Sequence, residues 1–368
     1  MAASNGFGTI WSSTPHTHAK HAILRQYWNR WLPILGRWNR GLNYIDGFAG
    51  PGEYIGGEPG SPVIVLRAAT QHTHRPVGAV SFTFIEKDHD RANHLRRVLG
   101  REFPRERLPR GWEYSVEDGE FDPVLNTAIT QIEASGSTLA PTFAFLDPFG
   151  YSGFPMSTIR RLMAIPRCEV LITFMAGYIR RFLDDLRAET LTTLFGDDAW
   201  QNASSLQGEA RVRFLLDLYE TRLKETAQAA FVRSFEMCGP NDETVYYLVF
   251  ATRNGEGLRQ MKEAMYSVDR RESYRFSDLT DPGQRYLLDY LEDESPEWVD
   301  RAAGLVYNRF RGQSVPSPVA KEFVELLTPY VWRSPIFRVL EHDGRILSVD
   351  GRGKGGGYGE STVLNFRP

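Results

Sequence analysis

The sequence predicts an α/β chain in which one doubly wound, mostly parallel sheet carries helices on both faces. Apolar, β-prone runs alternate with segments of helical periodicity, and they occur at residues 42–45, 80–85, 112–116, 142–146 and 169–175. Two more strand-like runs, 231–237 and 245–252, are separated only by a turn. Parallel strands need helical crossovers, whereas antiparallel neighbours need only a turn. The pattern therefore predicts a Rossmann-like sheet that is closed by an antiparallel hairpin.

Composition limits the class of protein. The chain has 368 residues, of which 42% are hydrophobic and 24% charged, enough to bury one large core and a smaller one. Its net charge of -3 excludes a uniformly basic surface for nucleic acid, although not a local basic patch. We find no membrane-spanning run and no signal peptide, and Cys168 and Cys238 both lie in apolar strand-like runs. We therefore expect a soluble cytoplasmic protein with two buried thiols and no membrane association.

We expect three parts along the chain. Residues 1–17 form a mobile arm, and residues 18–280 form the Rossmann-like domain. Residues 281–368 form a small module of helices and a hairpin over residues 337–349, which turns at Asp343-Gly344. Helices followed by a basic hairpin resemble a winged-helix module, and a flexible cap on the main domain is the alternative.

The first helix of the main domain is expected from about His18 to Arg40, because apolar residues recur along one of its faces. Three histidines near its start raise the question of a metal site. No carboxylate or cysteine lies close to them in the sequence, so they are better interpreted as surface or capping residues. We therefore expect no bound metal at His16, His18 and His21.

A glycine-rich turn follows the first strand, in the segment LNYIDGFAGPG at residues 42–52. Asp46 ends the strand, and the glycines after it allow backbone N–H groups to approach a ligand that any Cβ would exclude. A dinucleotide-binding turn would need a third close glycine where Ile55 stands, so the dehydrogenase interpretation fails. The predicted cofactor-binding residues of this turn are Asp46, Gly47, Phe48, Ala49, Gly50 and Gly52.

The next two strand ends are also acidic. Glu86 directly follows the second strand, where a carboxylate can accept hydrogen bonds from a ribose diol. Asp118 follows the third strand, where it can accept a hydrogen bond from the amino group of an adenine while Phe121 stacks on the ring. Lys87 and Gly119 complete the predicted cofactor set, although Lys87 also fits a solvated charge cluster.

The fourth strand ends in Asp147-Pro148-Phe149-Gly150, for which we predict a catalytic role. The lone pair of an aromatic exocyclic amine is delocalised into the ring, so this nitrogen is difficult to methylate. The Asp147 carboxylate and the Pro148 carbonyl can accept its two N–H hydrogens, and Phe149 can stack on the base. The lone pair then points at an electrophile, which would be the sulfonium methyl of S-adenosylmethionine. A simple strand-to-loop turn is the alternative when this tetrapeptide is considered alone.

Several motifs together resemble the three-Cys-motif partner family (TcmP), over roughly residues 15–280. They are Lys20-His21, YIDGFAGPG at 44–52, GEPGSP at 57–62, FIEKD at 84–88, FLDPFG at 145–150, FEM at 235–237, YYLVFAT at 246–252 and GLRQMKEAM at 257–265. The resemblance implies a class I S-adenosylmethionine-dependent methyltransferase, whose DPFG is similar to the DPPY-type motif of enzymes that methylate amines in nucleic acids. It also implies a partner protein with three cysteines, itself similar to radical S-adenosylmethionine proteins.

The resemblance has two limits. Relatives tend to have an asparagine-containing strand end where this chain has Thr173 to Tyr178, so whether substrate contacts after the fifth strand carry over is left open. The resemblance also does not reach the C-terminal module.

Three functions remain open on this basis. The first is N-methylation of a nucleobase, in nucleic acid or as a free nucleoside. The second is a non-catalytic scaffold that keeps a nucleoside pocket and binds the cysteine-rich partner. The third is methylation of another small molecule, since a net charge of -3 gives little attraction for a duplex.

Overall fold

The computed structural model describes residues 8–74, 76, 78–148, 154–179, 183, 188–277, 297–352 and 355–368. The chain divides into two compact units. The first comprises the residues up to 264 together with 276–279, and the second comprises 265–275 together with the residues from 280 onward.

The first unit is built on an eight-stranded sheet. Its strands are β1 Gly41–Asp46, β2 Ala79–Glu86, β3 Trp112–Asp118, β4 Thr142–Leu146, β5 Cys168–Phe174, β6 Phe231–Cys238, β7 Thr244–Thr252 and β8 Arg275–Ser277. Their order across the sheet is β3-β2-β1-β4-β5-β7-β6-β8. The first five strands pair in parallel, and β7 is antiparallel to both β5 and β6. The predicted doubly wound, Rossmann-like sheet with a closing antiparallel hairpin is confirmed.

Helices connect and flank these strands. They are α1 Pro15–Gly36, α2 Ser61–Thr70, α3 His89–Glu102, α4 Phe121–Ala134, α5 Met156–Ala164, α6 Ala176–Ile179, α7 Ala188–Phe195, α8 Gly208–Glu225 and α9 Gly255–Tyr266. The predicted bounds of α1 were wrong at both ends. It begins at Pro15 rather than His18, because a proline is well accommodated in the first helical turn. It ends at Gly36 rather than Arg40, because β1 already begins at Gly41 and the residues between must form the turn.

Helix α1 covers one face of the sheet with aromatic side chains. Its Tyr27 and Trp28 are fully buried. The ring centroid of Trp28 lies 5.2 Å from that of Tyr44 in β1 and 5.8 Å from that of Phe82 in β2. The ring of Tyr27 lies 5.0 Å from that of Phe143 in β4. Such ring pairs add about 0.5–1.5 kcal/mol each to the stability that burial provides, so α1 is firmly attached to this face.

The opposite face of the sheet carries α4, α5 and α8. Ile45 directly follows Tyr44 in β1 and therefore points to this second face, since alternate residues of a strand point to opposite sides. It belongs to a buried apolar cluster with Ile85, Leu125, Ile159 and Leu215. Because both faces of the sheet are buried, the sequences of the parallel strands are nearly continuous apolar runs.

A buried carboxylate joins α1 to the centre of the sheet. Glu169 of β5 is 6% exposed, and burial raises its pKa. Its Oε2 accepts a hydrogen bond from the Tyr27 hydroxyl at 2.5 Å, and its Oε1 accepts one from the Thr252 hydroxyl at 2.8 Å. A Cβ at Gly257 of α9 would lie 1.9 Å from Oε1, so only glycine fits there. Glu169 thus links α1, β5, β7 and α9.

The second unit has the element order helix, strand, helix, helix, strand, strand. Its elements are α10 Glu297–Phe310, β9 Ser314–Pro316, α11 Ser317–Glu322 with a π-helical turn Phe323–Leu327, α12 Pro335–His342, β10 Ile346–Asp350 and β11 Val363–Phe366. The strands form an antiparallel sheet in the order β10-β11-β9. The second unit thus combines helices with a small antiparallel sheet.

The predicted hairpin over residues 337–349 was wrong in its first half. Those residues up to His342 belong to α12, because buried Ile336, Phe337 and Leu340 recur at helical spacing. The turn at Asp343-Gly344 leads from helix to strand, and the hairpin is formed by β10 and β11. Residues 281–296 and 353–354 of the predicted C-terminal module fall outside the described residues.

The remaining general expectations concern cysteines, membranes and metals. Cys168 and Cys238 are both buried and free, as predicted. Within the ranges that the structure describes, no helix is long and apolar enough to cross a membrane. Within the same ranges, no group of His, Cys, Asp and Glu side chains is arranged to hold a metal ion.

Replacing Tyr27 with Phe should destabilise the first unit, because it keeps the ring but leaves Oε2 of buried Glu169 without its donor. We expect the free energy of unfolding, measured by urea denaturation, to fall by about 1–3 kcal/mol. Tyr247→Phe is the matched control, since its hydroxyl lies 3.3 Å from Glu236 at a half-buried position, and it should cost less than ~0.5 kcal/mol. Equal losses in the two variants would contradict the role of Glu169.

Candidate active site

The glycine turn after β1 is held between the ends of two neighbouring strands. Gly47 donates its N–H to the carbonyl oxygen of Phe145 in β4, at 3.0 Å. Ala49 donates its N–H to the carbonyl oxygen of Ile85 in β2, at 2.9 Å. The turn therefore has a defined position above the carboxyl ends of β4, β1 and β2, the edge at which open α/β sheets bind ligands.

Two glycines of this turn have backbone angles that favour glycine, with φ of 63° at Gly50 and 87° at Gly52. A Cβ on Gly52 would lie 2.6 Å from Cδ1 of Leu95 in α3, so this glycine allows close packing. A Cβ on Gly50 would meet only one heavy atom of the described residues within 4 Å, a ring atom of Trp11 at 3.6 Å. Gly50 itself is buried and donates its N–H to Glu86, so its positive φ is what favours glycine at this position.

Glu86 ends β2 and is only 4% exposed. Its Oε2 accepts the N–H of Gly50 and its Oε1 accepts the N–H of Asp88, both at 2.9 Å. Burial raises the pKa of Glu86. Each carboxylate oxygen has a further lone pair. Glu86 can therefore hold the glycine turn in place and still accept a hydrogen bond from a ligand hydroxyl.

The other predicted cofactor residues differ in their position relative to Glu86. Asp118 pairs with Glu86 in the strand register, and its carboxylate forms an ion pair with exposed His89. Gly119 donates its N–H to the carbonyl oxygen of Glu86 at 3.1 Å. Lys87 is exposed, in agreement with the solvated charge cluster. Asp118 and Gly119 thus adjoin Glu86, and Lys87 stays outside the buried group.

Phe121 has a packing role that differs from the predicted stacking on an adenine. It is 3% exposed, and its ring centroid lies 5.6 Å from that of Phe48 and 5.3 Å from that of Phe154. A Cβ on Gly47 would lie 2.6 Å from Cδ2 of Phe121. The Phe121 ring therefore packs against the glycine turn, and in this arrangement neither face of the ring is exposed for stacking on a base.

Asp46 ends β1 and is fully buried. Its Oδ1 accepts the N–H of Phe48 at 3.2 Å, and its Oδ2 has no hydrogen-bond partner in the described part of the chain. Burial raises the pKa of Asp46 to about 7; the Ser61 side chain and the Phe48 N–H act against this shift, and the charges of Asp147 and Glu86 add to it. A buried carboxylate oxygen without a donor costs free energy, so a cationic or N–H-bearing ligand group would be stabilised here.

Asp147 directly follows β4 and contacts a cation from α1. Its Oδ2 lies 2.5 Å from Nζ of Lys20, which is 7% exposed. The same Nζ lies 5.3 Å from the ring centroid of Tyr246 in β7. Beside it, His21 is buried, and burial together with the Lys20 charge lowers the pKa of His21 to about 3. His21 is therefore neutral, and Lys20 supplies the positive charge next to Asp147.

Three of the four predicted carboxylates lie next to one another, two of them buried and Asp147 20% exposed. Asp46, Glu86 and Asp147 come from β1, β2 and the end of β4, which are neighbours in the sheet, and the charges of the latter two act on Asp46. Asp118 lies at the more exposed end of this row. Pro148 is buried directly after Asp147, whereas the predicted catalytic residue Phe149 lies outside the described residues, as does Gly150.

Sequence reasoning missed Lys20 as a member of the site, although it noted the Lys20-His21 motif. Lys20 shares a buried helix face with Leu24, Tyr27 and Trp31. A lysine is almost never buried without a partner. Its place in the apolar stripe of α1 was therefore a signal for a buried counter-charge.

No protein-family model and no curated protein matches the chain. Among solved structures it is similar to Trm1 from Pyrococcus horikoshii with S-adenosyl-L-methionine, at 13% identity and a TM-score of 0.36, over 72% of this chain and 62% of that one. It is also similar to protein LPL1258 from Legionella pneumophila, at 10% identity and a TM-score of 0.36, over 67% and 91% of the two chains. A third is the DszA carbon methyltransferase, at 13% identity and a TM-score of 0.31, over 59% and 48%. The match thus spans 62% of the length of Trm1, and likeness this distant carries no argument about activity.

Asp46 should make the stability of the first unit depend on pH. The pKa of this carboxyl is 3.8 ordinarily and about 7 in the folded chain, so between these values the unfolded chain loses a proton that the folded chain keeps. The free energy of unfolding should therefore decrease as the pH rises from about 4 to 7, by ~4 kcal/mol in total.

Asp46→Asn cannot ionise, so urea denaturation between pH 5 and 8 should show the variant gaining stability relative to the wild type as the pH rises. A stability difference between the two proteins that does not change with pH would contradict the raised pKa of Asp46.

Proposed function

We propose that this chain is an S-adenosylmethionine-dependent methyltransferase that methylates an exocyclic amine of a nucleobase, in nucleic acid or in a nucleoside. The observation that carries the proposal is the row of buried Asp46, buried Glu86 and partly exposed Asp147 beside the glycine turn. Asp46 and Glu86 suit a nucleoside cofactor, and Asp147 at the other end of the row suits an amine.

The residues present fit the cofactor at three points. The unpartnered Oδ2 of Asp46 would accept a hydrogen bond from the amino group of the cofactor's methionine part. The glycine turn at Gly50 would lie beside that amino group. Glu86 would accept a hydrogen bond from the ribose, and Asp118 with Gly119 would lie next to the adenine. When bound, the cofactor supplies an electrophilic methyl group on a sulfonium.

The acceptor end is formed by the Asp147-Pro148 pair. The carboxylate of Asp147 would accept one N–H of the amine and the carbonyl of Pro148 the other, which makes the nitrogen more tetrahedral and its lone pair available. Pro148 has no N–H of its own, so this turn offers acceptors rather than donors. Phe149 would stack on the base. The nitrogen lone pair would form the new N–C bond as the methyl C–S bond of the sulfonium breaks with its electron pair left on sulfur, and the surplus N–H proton would pass to water.

The finer assignments belong to the same proposal. We further propose that the chain belongs to the three-Cys-motif partner family, because the motifs of that resemblance lie at the proposed site. Lys20 contacts Asp147, and Glu86 in the segment 84–88 accepts a hydrogen bond from Gly50 in the segment 44–52. A protein with three cysteines, similar to radical S-adenosylmethionine proteins, would then be its partner, in the cytoplasm.

Replacing Asp147 with Ala should abolish methyl transfer while sparing the affinity for the uncharged S-adenosylhomocysteine, because the carboxylate holds the acceptor and not the nucleoside. We expect a loss of at least ~10²-fold in kcat, the usual effect of removing one preorganised polar group. The assay is tritiated-methyl transfer to DNA, RNA and nucleoside pools, and calorimetry gives the affinity for S-adenosylhomocysteine. Asp217→Ala, which removes an exposed carboxylate paired with Arg213, is the control and should leave both unchanged.

The pools also separate the competing functions. Transfer only to non-nucleic small molecules would favour a small-molecule methyltransferase, and cofactor binding without transfer to any pool would favour a scaffold. Turnover that persists in Asp147→Ala would contradict the role given to this residue.

Cofactor binding should release a proton below pH 7. The carboxyl of Asp46 is largely protonated at pH 6 because burial raises its pKa to about 7, and the cofactor's ammonium favours the ionised form. Calorimetry at pH 6 in buffers of different ionisation enthalpy should therefore report release of nearly one proton per cofactor bound, and less above pH 7. Asp46→Asn should bind more weakly and release none. Equal binding and equal proton release in the two proteins would contradict the assignment of Asp46.

A further inference from the structure

Lys20 is an ammonium held almost completely out of water at the proposed acceptor end of the site. It is 7% exposed, lies on the buried face of α1, and contacts Oδ2 of Asp147 at 2.5 Å. An unpaired buried ammonium would cost several kcal/mol, so this position depends on the carboxylate opposite. The ring of Tyr246, 5.3 Å from Nζ, adds a second favourable contact.

The groups around this pair leave its charges balanced. His21, which follows Lys20 on α1, is neutral because burial lowers its pKa to about 3. Asp46 has a pKa of about 7 and is therefore only partly ionised near neutral pH. Of the residues that the structure describes, Lys20 is the one cation in ion-pair contact with Asp147. The pair is thus close to neutral as a whole.

We propose that Lys20 is a positioning and charge-balancing residue that selects an uncharged planar amine as the methyl acceptor. This inference rests on the proposed methyltransferase function. Lys20 occupies Oδ2 of Asp147 and fixes the carboxylate, so Oδ1 remains to accept an N–H of the acceptor. An alkylammonium would gain little from a neutral pair and would be repelled by Nζ. A neutral amine keeps both the hydrogen bond and the lone pair that the reaction needs.

The cofactor itself provides a charged probe at this point. S-adenosylmethionine carries a sulfonium charge where S-adenosylhomocysteine has a neutral thioether, and the two are otherwise nearly the same shape. The ratio of their affinities therefore measures the electrostatic potential next to the acceptor position. A partly misfolded sample lowers the apparent number of sites for both compounds equally, so the ratio of affinities reports charge rather than folding.

The experiment is calorimetric titration of both compounds into the full chain, as wild type, Lys20→Met, Lys20→Arg and Asp147→Asn. Lys20→Met leaves Asp147 uncompensated, so its preference for the sulfonium over the thioether should rise on the order of tenfold. Lys20→Arg keeps the charge and should retain the wild-type ratio. Asp147→Asn leaves Lys20 uncompensated and should lower the ratio, which also provides the test should Lys20→Met fail to fold.

Two negative outcomes are distinguishable. If the wild type binds neither compound, the proposed function itself is overturned. If the wild type binds both, and the ratio is the same in Lys20→Met and Asp147→Asn as in the wild type, then Lys20 does not set the charge at this position, and only the inference about the acceptor is overturned.

Discussion

Three neighbouring carboxylates at one edge of the sheet, of which Asp46 and Glu86 are buried and Asp147 is 20% exposed, are the constraint on which the candidate site depends. A buried carboxylate is tolerated only when donors or cations satisfy it. Glu86 is satisfied by the backbone N–H groups of Gly50 and Asp88, and Asp147 by Lys20. Asp46 has one N–H, and its second oxygen has none among the described residues. Asp46 is therefore the carboxylate at which a ligand donor would bring the largest gain in binding free energy.

Helix α1 connects this constraint to the stability of the fold. Lys20 and Tyr27 are seven residues apart, which is two helical turns, so they project from the same face about 10 Å apart along the axis. One contacts Asp147 at the end of β4, and the other contacts Glu169 at the start of β5. The same packing that attaches α1 to the sheet thus delivers the cation to the acceptor end.

Local patterns in the sequence predicted the strands, their alternation with helices and the acidic strand ends, because burial on two faces and the period of a strand are local properties. They did not predict the partner of Asp147, since Lys20 lies 127 residues away and its contact exists only in the folded chain. The hairpin over residues 337–349 was misjudged because a short apolar run fits a strand as well as an amphipathic helix. Phe121 was misjudged for a related reason, since its sequence neighbours do not reveal that its ring fills the space beside Gly47.

The most direct measurement is a crystal structure of the chain with S-adenosylhomocysteine. The account predicts a ribose hydroxyl within hydrogen-bond distance of Glu86, the cofactor's amino group at Oδ2 of Asp46, and a space for a flat base between the sulfur and Asp147. A cofactor bound elsewhere, or an edge between β1 and β4 filled by the protein's own side chains, would contradict it.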